Sequence, residues 1–306
     1  MRAFWILLLA LPGLAHAAAT LATATIVDGN PAVIRASTKL ALAEGARLVA
    51  EDIVETGNAR HLRLEFADGL LLDLGPATRV QLQPRLAGEP ARRGARLYLL
   101  GGWAKLSVPA KPAGALPTPL LASATLDLQR TARSVVIGLD GGGLSVFAES
   151  GETLLAERRT DAPAAPVSLK EGAFYTRAGT GAGEASANPK PGFIARVPKP
   201  FLDTLPARAA LFRDKEPASV PAGVLVYADV QAWIDAEPAL RGGFVTRWRA
   251  LARQGEFRKG LEQGLAAHPE WDRVLHPERY LPASSPAPMP LPASPDRHAT
   301  PSYTRP

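Results

Sequence analysis

The chain has 306 residues, 46% hydrophobic and 21% charged, with a formal net charge of +6; that is enough apolar content for a packed core and too little charge for wholesale disorder. Glycine and proline number 27 and 29, which suits many turns and short strands and excludes a fold dominated by long helices over the first two thirds. Cysteine is absent, so disulfides and a cysteine-linked lipid anchor are excluded, and the basic residues are dispersed rather than clustered with aromatics, which argues against nucleic acid as a partner.

Arg2, the apolar run from Phe4 to Leu11, the Pro12-Gly13 break and Ala15-His16-Ala17 follow the charge, core and small-residue order of a secretory signal. Cleavage is expected near Ala17, giving a signal peptide at 1–17. The apolar run is well short of the roughly 20 residues a spanning helix needs, and no later segment reads as one. The expected destination is periplasmic or secreted, of the Gram-negative type, with no transmembrane helix after signal removal.

From 20 to 179 the chain reads as successive short strands separated by Gly, Pro and Asp turns, for example 22–27, 32–35, 80–83 and 97–108. The clearest pair is a hairpin. His61, Leu62, Arg63, Leu64, Glu65 and Phe66 alternate polar and apolar, and Leu70, Leu72 and Leu74 continue the apolar face. A two-residue loop at Asp68-Gly69 would set Leu64 opposite Asp73 and mix core with charge. A three-residue loop of Ala67, Asp68 and Gly69, closed by Gly69 at positive φ, instead pairs Phe66 with Leu70, Leu64 with Leu72 and Leu62 with Leu74. Arg63 then faces Asp73 on the outer side, and a one-residue slip would send the leucines to solvent. Periodicity leaves two closures of this all-β domain open, a jelly-roll-like sandwich and a β-solenoid.

The same residues carry a resemblance. Glu44, Gly45 and Leu48, then Asp52, Val54, Thr56 and Gly57, then Leu64, Phe66, Asp68, Gly69, Leu72, Leu74, Gly75, Pro76 and Thr78 stand in the order and spacing of a FecR domain. The chain resembles that family in its periplasmic part, without the membrane helix and cytoplasmic anti-sigma segment of full regulators. The second half is looser: 97–108, 134–147, the Glu149-Ser150-Gly151-Glu152 turn and 167–172, with Ile137-Gly138-Leu139-Asp140 where the family usually has a Gly-Thr step. The resemblance implies an interaction, scaffold or accessory sensory module whose partner is an envelope protein, a TonB-dependent receptor being the family's example.

The stretch 180–200 reads as a linker; Gly179, Gly181 and Gly183 lack the strand–loop–helix setting of a phosphate loop. A small, mainly α-helical region is expected over 201–280. Asp229 would cap a helix bearing Val230, Trp233 and Ile234, ended with the help of Pro238. Leu240, Phe244, Val245, Trp248 and Leu251 form a second stripe and Phe257, Leu261 and Leu265 a third. Arg241, Arg247, Arg249, Arg253, Arg258 and Lys259 read as a solvated basic face. The repeated His-Pro-Glu at His268 and His276 reads as two Pro-nucleated turns; a metal site from His268, His276 and Glu278 is the sharper alternative, but nothing nearby completes a ligand set. The Pro/Ala-rich tail, 281–306, reads as disordered.

No enzyme signature stands out. There is no G-x-S-x-G elbow, His61 falls on an outward strand face, and Asp73 faces Arg63 while Asp68 is a turn residue. The expectation is a non-catalytic module with no catalytic residue, metal ligand or cofactor; the alternative is a polysaccharide-binding protein or glycan-acting enzyme of the envelope. Exposed aromatics along one groove, or two carboxylates converging in a cleft, would favour the alternative.

Overall fold

The computed structural model describes residues 19–87, 96–140, 142–158, 165–179 and 181–280. The expected signal at 1–17 and the tail at 281–306 lie outside the described residues. Eight strands precede the centre of the fold: β1 (Ala22–Asp28), β2 (Ala32–Arg35), β3 (Thr38–Ala41), β4 (Arg47–Leu48), β5 (Ile53–Glu55), β6 (His61–Phe66), β7 (Leu71–Leu74) and β8 (Arg79–Leu82). The long β9 (Leu97–Ser107) follows, then β10 (Leu121–Ala122), β11 (Leu126–Thr131), β12 (Ser134–Asp140), β13 (Gly143–Ser150) and β14 (Thr153–Glu157). The last strands are β15 (Val167–Leu169), β16 (Phe174–Ala178), β17 (Glu184–Ser186) and β18 (Val220–Pro221). The helices are α1 (Pro191–Ile194), α2 (Tyr227–Ile234), α3 (Pro238–Arg247), α4 (Gly255–Gln263) and α5 (Asp272–Leu275).

The strands form a large antiparallel half-barrel made of two sheets. Sheet A runs β4-β1-β6-β7-β9-β12-β13-β16-β17. Sheet B runs β18-β3-β2-β5-β8-β9-β10-β11-β14-β15. Among the described residues only β9 with β10 is parallel, so the coils of a β-solenoid are not built and the sandwich-like closure is. The strand common to both sheets is β9: its first residues pair with β8 and those from Gly102 onward with β12. Gly102 makes the crossing, at φ +95°, where a Cβ would collide with the backbone of Thr78. Between the sheets, Leu62, Leu64, Leu72 and Leu74 of one meet Val54, Val80, Leu97, Leu121 and Leu155 of the other in one core.

The hairpin has the expected register. Leu62 pairs with Leu74, Arg63 with Asp73 and Leu64 with Leu72; Phe66 N–H donates to Leu70 O at 2.9 Å and Gly69 has φ +87°. Its outer face, however, is not solvent-facing: His61, Arg63, Glu65 and Asp73 are all buried. The cover comes from residues 191–212. This strap includes much of the stretch expected to be a linker, but Phe193 and Phe201 are buried within it, and β17 just before it pairs with β16. Apolar anchors hold what Gly and Pro content alone would leave loose.

The chain then adds β18 to the edge of β3 and lays the helices over the outer face of sheet B. Ile34, Ile53 and Tyr98 of the sheet share a second core with Val230, Trp233, Ile234, Leu240, Phe244, Trp248, Phe257, Leu261 and Trp271, so the three expected stripes all face inward. Helix α2 starts earlier than expected: Asp229 is not the cap but sits in the first turn, accepting the Val226 N–H at 3.0 Å. Pro238 opens α3 rather than merely closing α2. No helix of the described residues is long and apolar enough to cross a membrane.

Candidate functional site

Two places gather chemistry-bearing side chains: the outer face of sheet A and a cleft between sheet B and α3. On sheet A the register aligns one row across six strands, Arg63, Asp73, Lys105, Val136, Phe147 and Phe174, charged at one end and aromatic at the other. Asp73 Oδ1 accepts from Arg63 Nε at 2.7 Å and contacts His61 Nε2 at 2.7 Å, and Oδ2 accepts from Arg63 Nη2 at 3.1 Å. Burial by itself would push the Asp73 carboxyl up; the hydrogen bonds from His61 and Arg63 and the Arg63 charge outweigh it and hold it below its ordinary value. Beside this cluster, Lys105 Nζ donates to Glu149 Oε1 at 2.9 Å and Ser134 Oγ to Glu149 Oε2 at 2.6 Å.

The strap is gripped by these same groups, largely through its main chain. Phe193 lies against Trp103, Phe147 and Phe174, with ring centroids 4.8 Å apart for the last pair. Farther along, Lys105 Nζ donates to Phe201 O at 2.5 Å and Arg63 Nη1 to Leu205 O at 3.0 Å. At the far end Glu65 accepts the Arg208 and Ala209 N–H groups, both at 2.8 Å. The strap therefore crosses the strands from the aromatic to the charged end, while Leu202 and Leu205 point outward and are exposed. Gly75 makes room for it, since a Cβ there would meet Pro198 Cγ at 2.7 Å.

The cleft has a volume of about 540 Å³ and is lined on the sheet side by Arg35, Gln81 and Arg85 and on the helix side by Leu240, Phe244 and Arg247. Arg247 donates Nη2 to Ile34 O at 2.7 Å, Nε to Ala36 O at 3.0 Å and Nη1 to Glu51 O at 2.7 Å; burial pulls its pKa down, with Glu51 and Asp52 opposing. Ala36 and Glu51 hold these carbonyls from the left-handed region, at φ 51° and 66°. Arg35 gives Nε and Nη2 to Asp52 at 2.9 and 2.7 Å, and Arg85 pairs with Glu51. Gln81 projects from β8 between Ile53 and Tyr98. It is 3% exposed, and its Oε1 accepts no hydrogen bond. Leaving such a group without a donor costs about 1–3 kcal/mol.

The sequence-level candidates are distributed as follows. Asp68 caps its own turn, accepting Leu70 N–H at 3.1 Å, and pairs with Arg96. Ser134 spends its hydroxyl on Glu149, and His61 turns its Nε2 to Asp73 Oδ1 at 2.7 Å. His268 bridges Asp235 at 2.8 Å and Arg241 at 3.0 Å, whereas His276 lies 3.3 Å from Glu278; among the described residues no three potential ligands converge on a metal position. Both His-Pro-Glu segments open 3-10 turns, Pro269–Trp271 and Pro277–Tyr280, as the Pro position implies. Arg247 corrects the expectation of a solvated basic face, because it is a fastener between α3 and β2. The residues that carry the resemblance lock turns: Asp52 accepts Val49 N–H at 2.9 Å, Thr56 Oγ1 donates to Gly75 O at 2.8 Å, and Thr78 Oγ1 accepts Trp103 N–H at 2.9 Å. Sequence reading missed Gln81, whose only signal is an amide at an outward position of a strand otherwise aligned with Ile53 and Tyr98.

A comparison with models of known protein families finds no match, and a search of curated proteins finds none either.

Proposed function

We propose that the chain is an exported, non-catalytic FecR-like module of the cell envelope, periplasmic or secreted after cleavage near Ala17, that works by holding a partner. The observation that carries this reading is the state of the charged face. Arg63, Asp73, Lys105, Glu149 and Glu65 are committed to one another and to the main chain of the strap, and Asp73 is held ionised rather than poised to give up a proton. A surface that grips an extended segment through its backbone groups is binding machinery. The order and spacing of the hairpin motif supply the family resemblance, which points to an envelope protein, and to a TonB-dependent receptor among these, as partner. The polysaccharide reading stands second, because Trp103, Trp233, Trp248 and Trp271 are buried and offer no stacking platform for a sugar.

The test is a pull-down from periplasmic and outer-membrane extract with the full mature chain as bait. Retention of a TonB-dependent receptor, reproduced with the purified pair, is the expected result. Tight binding of purified envelope polysaccharide with no protein retained would overturn the proposal, and mature protein that begins at Met1 would overturn the export step.

A further inference from the structure

The strap across sheet A turns aliphatic side chains outward that the fold does not use. Its underside is fixed by the buried Phe193, Val197 and Phe201 and by main-chain groups that Lys105, Arg63 and Glu65 hold. Residues 202–207 are all exposed, yet Leu202 and Leu205 stand among them. Of the eight large apolar side chains exposed among the described residues, four lie on the strap: Ile194, Leu202 at 66%, Leu205 and Leu211 at 61%. The inward groups all reach the same face of sheet A, so the outward ones share the opposite direction. From Phe193 on Phe174 to Leu205 on Arg63 the strap spans the six-strand row, about 24 Å at the usual strand spacing.

The ridge lies in a cationic setting. Between residues 190 and 216, Lys190, Arg196, Lys199, Arg208, Arg213 and Lys215 stand against Asp203, Asp214 and Glu216. Lys199, Arg213 and Lys215 are exposed, and their side chains hold no partner among the described residues. A protein interface concentrates its energy in Trp, Tyr and Arg and makes little use of Leu, and here Phe193 and Phe201 point inward. Aliphatic side chains among surplus cations instead match an anionic bilayer, where leucines enter the headgroup boundary and Lys and Arg meet phosphates. We propose that the outer side of the strap docks on an anionic phospholipid surface, with Ile194, Leu202, Leu205 and Leu211 entering it and Lys199, Arg213 and Lys215 meeting the phosphates. Sheet A then faces the lipid and the helical layer over sheet B faces away. Docking needs no protein partner, so its failure would leave the envelope-module reading standing.

The experiment is flotation of the chain from Ala18 onward with vesicles of equal parts phosphatidylglycerol and phosphatidylcholine, and with phosphatidylcholine alone; the start at Ala18 keeps the apolar run of Phe4 to Leu11 from inserting by itself. The expected result is binding at least about tenfold tighter to the anionic vesicles, weakened by salt as the screening length falls from about 10 Å at 0.1 M to about 3 Å at 1 M. Leu202→Ser with Leu205→Ser should weaken binding about tenfold and Lys199→Ala about fivefold. Tyr280→Ser, an exposed position in the helical layer, should change nothing. These side chains are exposed, so the variants should fold as the parent does, checked by circular dichroism, and the salt series needs no variant. Equal binding to both vesicles, binding to neither, a doubly substituted chain that floats as well as the parent, or an equal loss with Tyr280→Ser would each overturn the proposal. So would loss of a purified envelope protein from the doubly substituted chain while anionic vesicles go unbound, which would make the ridge a protein interface.

Discussion

Asp73 and Glu55 give the fold opposite responses to acid. Asp73 is held below its ordinary value by His61 and Arg63, so its contribution to stability is complete above the ordinary carboxylate range and is lost as pH falls through its lowered folded-state value. Asp73→Asn should cost about 3–5 kcal/mol near neutrality, because Arg63 is left buried with its partner charge gone, and should flatten the acid limb of stability measured by urea titration at a series of pH values. Glu55 is pushed up by burial, an effect that the hydrogen bond from Trp233 Nε1 at 2.9 Å opposes without cancelling. The folded state then holds the proton more tightly than the unfolded chain, and stability falls as pH rises through the carboxylate range. Glu55→Gln should therefore stabilise the protein near neutrality and lose that advantage in acid, seen in the same titrations. The Arg63 and Asp73 pairing was legible because the register requires it. Its burial was not, since alternation in β6 describes two faces without saying what covers the second.

At the scale of elements, local rules carried the hairpin and the helical stripes, and distant contacts decided the rest. The turn at Ala67-Asp68-Gly69 follows from the leucine positions, and Trp233, Phe244 and Phe257 fall on the faces that a helical period assigns them. The strap could not be read in this way: Phe193 and Phe201 are isolated aromatics among Gly, Pro and Lys, and their partners Trp103 and Phe174 lie on strands far back in the chain. Phe193→Ala should speed hydrogen exchange at the Arg208 and Ala209 amides, which donate to Glu65, while amides of β6 and β7 keep their protection. Acceleration that is equal in the strap and the hairpin would mean that the two open together. For α3, Arg247→Lys removes the planar fork that serves three carbonyl groups and should cost about 1.5–3 kcal/mol, measured by chemical denaturation. Gln81 illustrates the limit of sequence reading from the other side, since an amide on a strand is unremarkable until the helices arrive and leave its oxygen without a donor.

For the molecule as a whole, the helices share a core with sheet B, so unfolding followed by tryptophan fluorescence should coincide with unfolding followed by far-ultraviolet circular dichroism. Trp233, Trp248 and Trp271 report the helical layer and Trp103 reports sheet A, and two separated transitions would show a helical layer that stands by itself. The succession of short strands was legible, with its closure left open between a sandwich and a solenoid, whereas the crossing of β9 between sheets depends on one glycine, Gly102, whose need for positive φ is visible only once Thr78 is placed against it. The belt formed by the C-terminal third also has an implication for how the chain is made. Synthesis delivers β1 to β16 before residues 191–212 and the helices exist, so the nascent protein meets its surroundings with Trp103, Phe147 and Phe174 bare on one side and Ile34, Ile53 and Tyr98 bare on the other. Each face waits for a segment that follows it in the chain, and until then the folding protein offers two sticky surfaces to chaperones or to its neighbours.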